Sequence, residues 1–330
     1  MTESLVNNRH AQRHAPDAPT FSVMTPVFNG EMFIARCYAV LREQTFADWE
    51  WVVVDDGSTD RTAELVRGID DERVRLISYP ENRGRGYART EALKACRGDW
   101  VVLWDVDDIY FPDRLERIAA IRGQDYDYYC SYSVVVDNRL RIKGVRGFLP
   151  EAGILPRFFV HHTLACPVSL AREIGYDILP AKGGPGEDFR IVMTLSRHYR
   201  GYYDHDALAV YQEDREVNLQ KSIDTNKGQS LILRQMYRDG TLPRRLGGYL
   251  ALMLRRQIKL AILQLMRIAP SLYRRTVQLR TNGDTVPGFE LSQQRRDFIE
   301  WVRRTDFSES RHQPPVCPFV FPTSPTRKAA

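Results

Sequence analysis

Three aspartates within four residues, Asp105, Asp107 and Asp108, follow an apolar run at the start of WDVDDIYFPDRL (Trp104–Leu115). Carboxylates this close repel one another, and a cation among them relieves the repulsion. A hard divalent ion suits the set, because Mg²⁺ or Mn²⁺ takes one or two carboxylates and fills its other positions with water and phosphate oxygens. The alternative is a solvated acidic turn ahead of a helix beginning near Pro112; the apolar strand directly before the aspartates favours the metal. A second acidic pair, Asp55-Asp56, ends the run WEWVVV (Trp49–Val54) and opens DDGSTD. An acidic residue leaving a strand can accept hydrogen bonds from a base or a ribose. Gly57 permits a tight turn, and Ser58, Thr59 or Asp60 can cap the next helix. Capping accounts for one of these residues but not for the doubled aspartate.

Such residues need elements to place them. FSVMTPV (Phe21–Val27), Trp49–Val54, RVRLIS (Arg73–Ser78) and DWVVLW (Asp99–Trp104) read as strands, with helix-periodic segments between them. Four strands alternating with helices in about 90 residues indicate an α/β domain with a largely parallel sheet. Ligands bind at the carboxyl ends of such strands, which singles out Pro26–Asn29, Asp55–Asp60, Tyr79–Arg85 and Asp105–Asp108. Further on, Asp125–Asp137 and CPVSLA (Cys166–Ala171) read as strands, Asp188–Arg197 as a helix, and Gly201–Gln212 as one or two closing strands. Asn218–Arg238 and Pro243–Ile268 read as helices, and the proline-broken tail from Ser308 as extended or disordered chain.

The 330 residues, 43% of them hydrophobic, suffice for one large domain or two ordinary ones. No uncharged apolar run reaches the ~18 residues of a membrane span, and residues 1–20 lack the apolar core of a secretory signal. The five cysteines, Cys37, Cys96, Cys130, Cys166 and Cys317, form no CxxC pair, which argues against a disulfide framework or zinc site and for a reducing cytosolic compartment. Net charge is +5, but between Gly240 and Gly283 there are nine basic and no acidic residues, so the remainder holds 38 basic against 42 acidic. Within that segment Arg255, Arg256, Lys259 and Arg267 fall near one broad polar helical face. Such a helix either lies on an anionic membrane or packs on the domain by its apolar face with the arginines in water. Nucleic acid is disfavoured, since aromatics are sparse there and no recognition motif occurs.

TPVFNG, QTFADWEWVVVDDGSTDRT, ENRGRGYART and GDWVVLWDVDDIYFPDRL, in that order from Phe21 to Leu115, together resemble the family 2 glycosyltransferases of GT-A fold. The resemblance implies that Pro26, Phe28, Asn29 and Asp56 hold the nucleotide, with Phe28 stacking where the family often has tyrosine. Arg83 and Arg89 then approach the diphosphate, or are surface arginines of a helical face. Asp105 and Asp107 match the DxD motif, with Asp107 or Asp108 as metal ligand for Mn²⁺ or Mg²⁺. GGPGEDFRIVMTL (Gly183–Leu195) resembles the GED motif, making Asp188 the base that takes the acceptor's proton and Glu187 its orienting partner; the alternative is an acidic pair at a helix N-terminus. His161-His162 reads as a satisfied structural pair or as an acceptor contact. Tyr211–Asp214 reads YQED where relatives often carry Tyr-Arg-x-His, so Asp214 stands in the histidine's place. The Gln-x-x-Arg-Trp motif of processive relatives is absent, implying one transfer per encounter.

The implied organisation is a leader (1–19), a GT-A, Rossmann-like catalytic domain (20–215) with a mostly parallel sheet flanked by helices, a helical C-terminal extension (216–307) and a disordered tail (308–330). The catalytic domain divides into a nucleotide-binding half (20–122) and an acceptor half (123–215). The implied activity is metal-dependent, inverting, non-processive sugar transfer from a nucleoside-diphosphate sugar, UDP being the family's commonest nucleotide, to a hydroxyl acceptor that is a glycan, lipid-linked or small. The expected location is cytoplasmic, with an anionic membrane face as candidate partner through 243–275. A nucleotidyltransferase competes, but PVFNG is not a Gly-rich phosphate loop. A non-catalytic binding protein of the same fold competes too, and is weakened by the intact DxD and Glu-Asp pair.

Overall fold

The structure, a computed structural model, describes residues 18–149, 156–177, 186–213, 219–243, 245–269, 271, 286, 288–307 and 315–321. Leader residues 1–17, Asp214 and basic residues Arg244, Arg274, Arg275 and Arg280 lie outside them.

The first half is a parallel α/β unit, as its alternating pattern requires. Strands β1 (Phe21–Val27), β2 (Trp49–Asp56), β3 (Val74–Tyr79) and β4 (Trp100–Leu103) pair in the order β3-β2-β1-β4, all parallel. Helices α1 (Glu31–Arg42), α2 (Thr62–Arg67) and α3 (Arg85–Ala95) connect them. Every residue of β2 is buried, the mark of a central strand covered on both faces. On α1, Ile34, Cys37, Tyr38, Val40 and Leu41 turn inward, a face wide enough to hold the helix against the sheet.

Beyond β4 the sheet becomes mixed. Strand β5 (Ile109–Tyr110), helix α4 (Arg114–Ile121), β6 (Tyr128–Val136), β7 (Ile142–Arg146), β8 (Ala165–Pro167) and β9 (Gly201–Gln212) continue the order as β4-β8-β6-β9-β5, with β7 on β6. Only β6–β9 is parallel; the β4–β8, β6–β8, β6–β7 and β5–β9 pairings are antiparallel. The expected mostly parallel sheet therefore holds for the nucleotide-binding half alone. The CPVSLA strand is also shorter than expected: β8 stops at Pro167, and Val168–Ile174 is helix α5, because a proline at a helix start forfeits no intrahelical hydrogen bond.

Helix α6 (Phe189–His198) follows, then α7 (Leu219–Arg238), α8 (Leu246–Leu265) and α9 (Gln293–Arg304). Helix α9 returns to the catalytic domain. Arg295 donates to both oxygens of Asp113 at 3.0 and 2.9 Å and to Asp206 at 2.8 Å, while Phe298 packs on Phe111 and Phe321. Phe321 is buried against Phe111 and Phe298, so residues 315–321, which lack secondary structure, are anchored at that ring, in keeping with the extended reading of the tail.

Gly57 turns the chain after β2 at φ +73°, and a Cβ there would lie 2.4 Å from the Glu81 backbone carbon. Gly57→Ala should cost about 1–3 kcal/mol, read as a lowered urea midpoint with unchanged slope.

Candidate active site

The carboxyl ends of β1, β2 and β4 converge as the strand order demands. At the end of β2 the two aspartates divide the work. Asp55 accepts from the Ser58 amide (3.0 Å) and the Ser78 hydroxyl (2.7 Å), fixing the turn against β3. Asp56, also buried, accepts from the amides of Arg83 (2.9 Å) and Gly84 (2.7 Å), pinning the loop before α3. Burial pushes the Asp56 carboxyl above its ordinary value, although those amides oppose the shift. The doubled aspartate thus has a structural reason that capping lacked.

Asn29, with φ 51°, spends its side chain on the same loop: its carbonyl oxygen accepts from the Thr59 amide (2.8 Å). Phe28 beside it is 47% exposed, leaving a ring face open for stacking, and Pro26 is half-buried. Arg83 donates to the Tyr87 hydroxyl (2.8 Å) with its guanidinium over Tyr87 and Tyr79 at 4.9 and 5.6 Å, an exposed cation braced by two rings.

Arg89 lies elsewhere than expected. It is buried on α3, not aimed at solvent. Its guanidinium donates to Asp105 (3.1 Å) and to His161 Nδ1 (2.9 Å), and lies 3.6 Å from Glu187. Burial alone would lower its pKa, but Asp105 and Glu187 hold it above the usual arginine value. Arg89 therefore joins the DxD loop to the Glu-Asp pair, 82 residues apart in numbering from Asp105 to Glu187. His161 is neutral, its pKa lowered by burial and by Arg89. Because its Nδ1 accepts from Arg89, the ring proton sits on Nε2, 3.0 Å from the Tyr176 hydroxyl.

The three loop aspartates are unequally placed. Asp105 is bound to Arg89. Asp107 is solvent-exposed, yet enough protein surrounds its carboxyl that desolvation, aided by the Asp105 charge, raises its pKa. Asp108 is buried: one oxygen accepts from the Gln212 amide (3.2 Å), and the other lies 3.7 Å from His162 Nδ1 with no hydrogen-bond partner. Desolvation, then its two acidic neighbours, drives its pKa well up. Asp108, expected beside Asp107 as a metal ligand, faces inward to β9. Among the described residues no three of His, Cys, Asp or Glu converge as a metal set. A single exposed aspartate of raised pKa fits a divalent ion whose remaining positions come from substrate phosphates and water.

Glu187 and Asp188 directly precede α6. Glu187 is buried, accepts from the Gly186 amide (3.1 Å), and lies 3.5 Å from Arg85. Asp188 is the N-cap residue, but its side chain makes no capping hydrogen bond. Its carboxyl is half-buried and its pKa is raised to about 6, by burial and then by Glu187, against the opposing charges of Arg89 and Arg85.

Sequence reasoning missed Arg36, which donates to the Asp107 carbonyl (2.8 Å) across 71 positions and approaches the Gln212 side chain (3.4 Å). Nothing near it in sequence marks that role. The histidine pair is buried and bonded within the protein, His162 to Ser133 (2.9 Å) with its ring stacked on Tyr211; the acceptor-contact reading gives way to support of Arg89 and Asp108.

A parallel first half with an acidic loop at its strand ends and a mixed second half carrying a Glu-Asp pair have the GT-A fold of a sugar-transferring enzyme. Residues 22–165 match the sequence profile of Glycosyl transferase family 2, so this part of the chain is a domain of that family. It is similar to EpsE of Bacillus subtilis, named as a glycosyltransferase, at 26% identity over 68% of this chain and 84% of EpsE. Other curated relatives align over 8–48% of their own length. Among solved structures it is similar to S. aureus TarS 1-349 in complex with UDP (TM-score 0.58, 21% identity, 88% of this chain and 89% of that one). It is also similar to the mannosyltransferase PcManGT of Pyrobaculum calidifontis in complex with GDP-Man and Mn²⁺ (TM-score 0.52, 18% identity, 89% and 86%). At these identities the likeness is one of fold.

Proposed function

We propose that the enzyme transfers a sugar, with inversion and one residue per encounter, from a UDP-sugar to a hydroxyl acceptor, with Asp188 as general base. The observation that carries this reading is the Asp188 carboxyl: half-buried, free of capping duty, raised to about 6, and linked through Glu187 and Arg89 to the acidic loop. A base with that pKa is ionised at neutral pH and still basic enough to take a proton. As the acceptor oxygen bonds to the anomeric carbon, its proton passes to Asp188 and the carbon–oxygen bond to the diphosphate breaks, releasing the nucleoside diphosphate.

Phe28 stacks the base, Asp56 keeps the adjoining loop in place, and Arg83 supplies positive charge at the cleft. Arg89 and Glu187 position the reacting carboxylate without touching the donor. Asp107 would hold Mn²⁺ or Mg²⁺ together with the donor diphosphate, and the bound ion would stabilise negative charge on the departing group. UDP is favoured because the TarS fold neighbour is named in complex with it, and the metal because the PcManGT neighbour is named with Mn²⁺. The same reading has the enzyme work at a cytoplasmic membrane surface through the segment 243–275, which the run of basic residues without an acidic one supports.

Release of nucleoside diphosphate, screened across UDP-, GDP- and dTDP-sugars, tests the donor; release only from non-UDP donors refutes the UDP assignment. Asp107→Ala should abolish the Mn²⁺-dependent part of UDP binding by calorimetry while leaving the unfolding midpoint near wild type, since the side chain is exposed. Undiminished Mn²⁺ dependence refutes Asp107 as the ligand.

A further inference from the structure

Helix α8 has two apolar faces, and among the described residues one has a partner. The inner face packs on α7: Met253 and Leu263 are buried, Tyr249 stacks on Tyr237 at 4.0 Å, and Arg256 donates to Ser230 (3.0 Å) and Gln229 (2.7 Å). Arg267 likewise bonds to Gln220 of α7. The expected single basic face therefore spreads wider, with Arg256 and Arg267 bonded to α7 and Arg255 and Lys259 solvent-exposed.

On the outer face Leu246 (58% exposed), Leu250 (54%), Leu254 (62%), Ile258 (52%), Ile262 (46%) and Leu265 (66%) stand in solvent. At about 100° per residue, the ~120° sector running from Leu250 through Leu254 and Ile258 to Ile262 holds no polar side chain anywhere in the helix. Arg255 and Lys259 follow directly beyond Ile262 on its border. The two alternatives the sequence offered are thus not exclusive: one face of the helix packs on α7, and the other shows water an aliphatic sector bordered by Arg255 and Lys259.

We infer that this outer face lies in the interface of an anionic lipid bilayer, with Leu250, Leu254, Ile258 and Ile262 among the acyl chains and Arg255 and Lys259 at the lipid phosphates. The inference rests on the membrane-surface reading above and names the element and the lipid class. No helix among the described residues is long and apolar enough to cross a membrane, so contact of this kind lies along the surface. A second copy of the chain is the weaker occupant on two grounds. The exposed residues from Leu246 to Ile262 recur every four positions, a ridge that winds about 40° per step instead of following the 3.5-residue seam of paired helices. Paired copies would also bring cations together where residues 240–283 offer no carboxylate to offset them, whereas anionic headgroups supply that complement.

Co-sedimentation with phosphatidylglycerol vesicles, against phosphatidylcholine vesicles as control, tests the inference in the full-length protein. The variants are Leu250→Gln/Leu254→Gln/Ile258→Gln and Arg255→Glu/Lys259→Glu, with UDP binding and circular dichroism confirming that each folds. Wild type should sediment with phosphatidylglycerol, and each variant should lose about tenfold or more in partition while still binding UDP. No binding by wild type overturns both this inference and the membrane-surface reading. Undiminished binding by the glutamine variant overturns the inference alone, since contact is then made elsewhere. A wild-type dimer that the glutamine variant renders monomeric by light scattering, without vesicle binding, assigns the face to self-association and also overturns it.

Discussion

Asp188→Asn should lower the rate of sugar transfer by about 10²- to 10⁴-fold while the Kd for UDP stays near wild type. The amide preserves shape but cannot accept the acceptor's proton, and the Asp188 side chain makes no capping bond whose loss would unravel α6. The pH profile provides a second readout. Because burial and Glu187 raise the Asp188 pKa to about 6, the base is protonated, and idle, below that pH. Activity should rise about tenfold per pH unit below 6 and level off above it; an ordinary exposed aspartate would give its break near 4. Near-normal turnover by Asp188→Asn would refute the assignment, and so would a profile flat from pH 4 to 8.

Arg89→Met should reduce stability by about 3–5 kcal/mol, the second large effect. The guanidinium is buried against Asp105, His161 and Glu187. Removing it leaves Glu187 buried without one of its two cations and frees the acidic loop from α3. Its charge also lowers the Asp188 pKa, so its loss should move the pH–rate midpoint upward. Arg89→Lys separates the two contributions: one cation keeps the midpoint near wild type, but an ammonium cannot bridge Asp105 and His161 as a planar fork does, so part of the stability loss remains. An unfolding midpoint unchanged in Arg89→Met would show that the bridge contributes nothing, and a midpoint for activity that does not move would remove Arg89 from control of the base.

The legibility of the fold followed the range of the interactions that make it. Strands β1 to β4 and the helices between them were readable because each is set by local periodicity and by turn residues such as Gly57 and Asn29-Gly30. The mixed second half was not, because whether β8 pairs parallel or antiparallel depends on the path of the chain and not on Ala165–Pro167 themselves. Within the site, the acidic loop and the Glu-Asp pair were found from their spacing and from family resemblance. Their division of labour was not. Three aspartates of one type differ in role because Asp105 meets Arg89, Asp108 meets Gln212 and His162, and Asp107 meets solvent.

The sequence by itself determined which chemistry was available: carboxylates at strand ends, a Glu-Asp pair opening a helix, and a cationic segment without a single acid between 240 and 283. These are matters of residue type and short spacing. Only the tertiary structure decided which charges are satisfied inside and which face outward, since a charge is buried only where a distant partner meets it. That is why Arg89, expected at a phosphate, bridges the acidic loop and Glu187, why Arg256 bonds to α7, and why the outer face of α8 is aliphatic with cations at its edge.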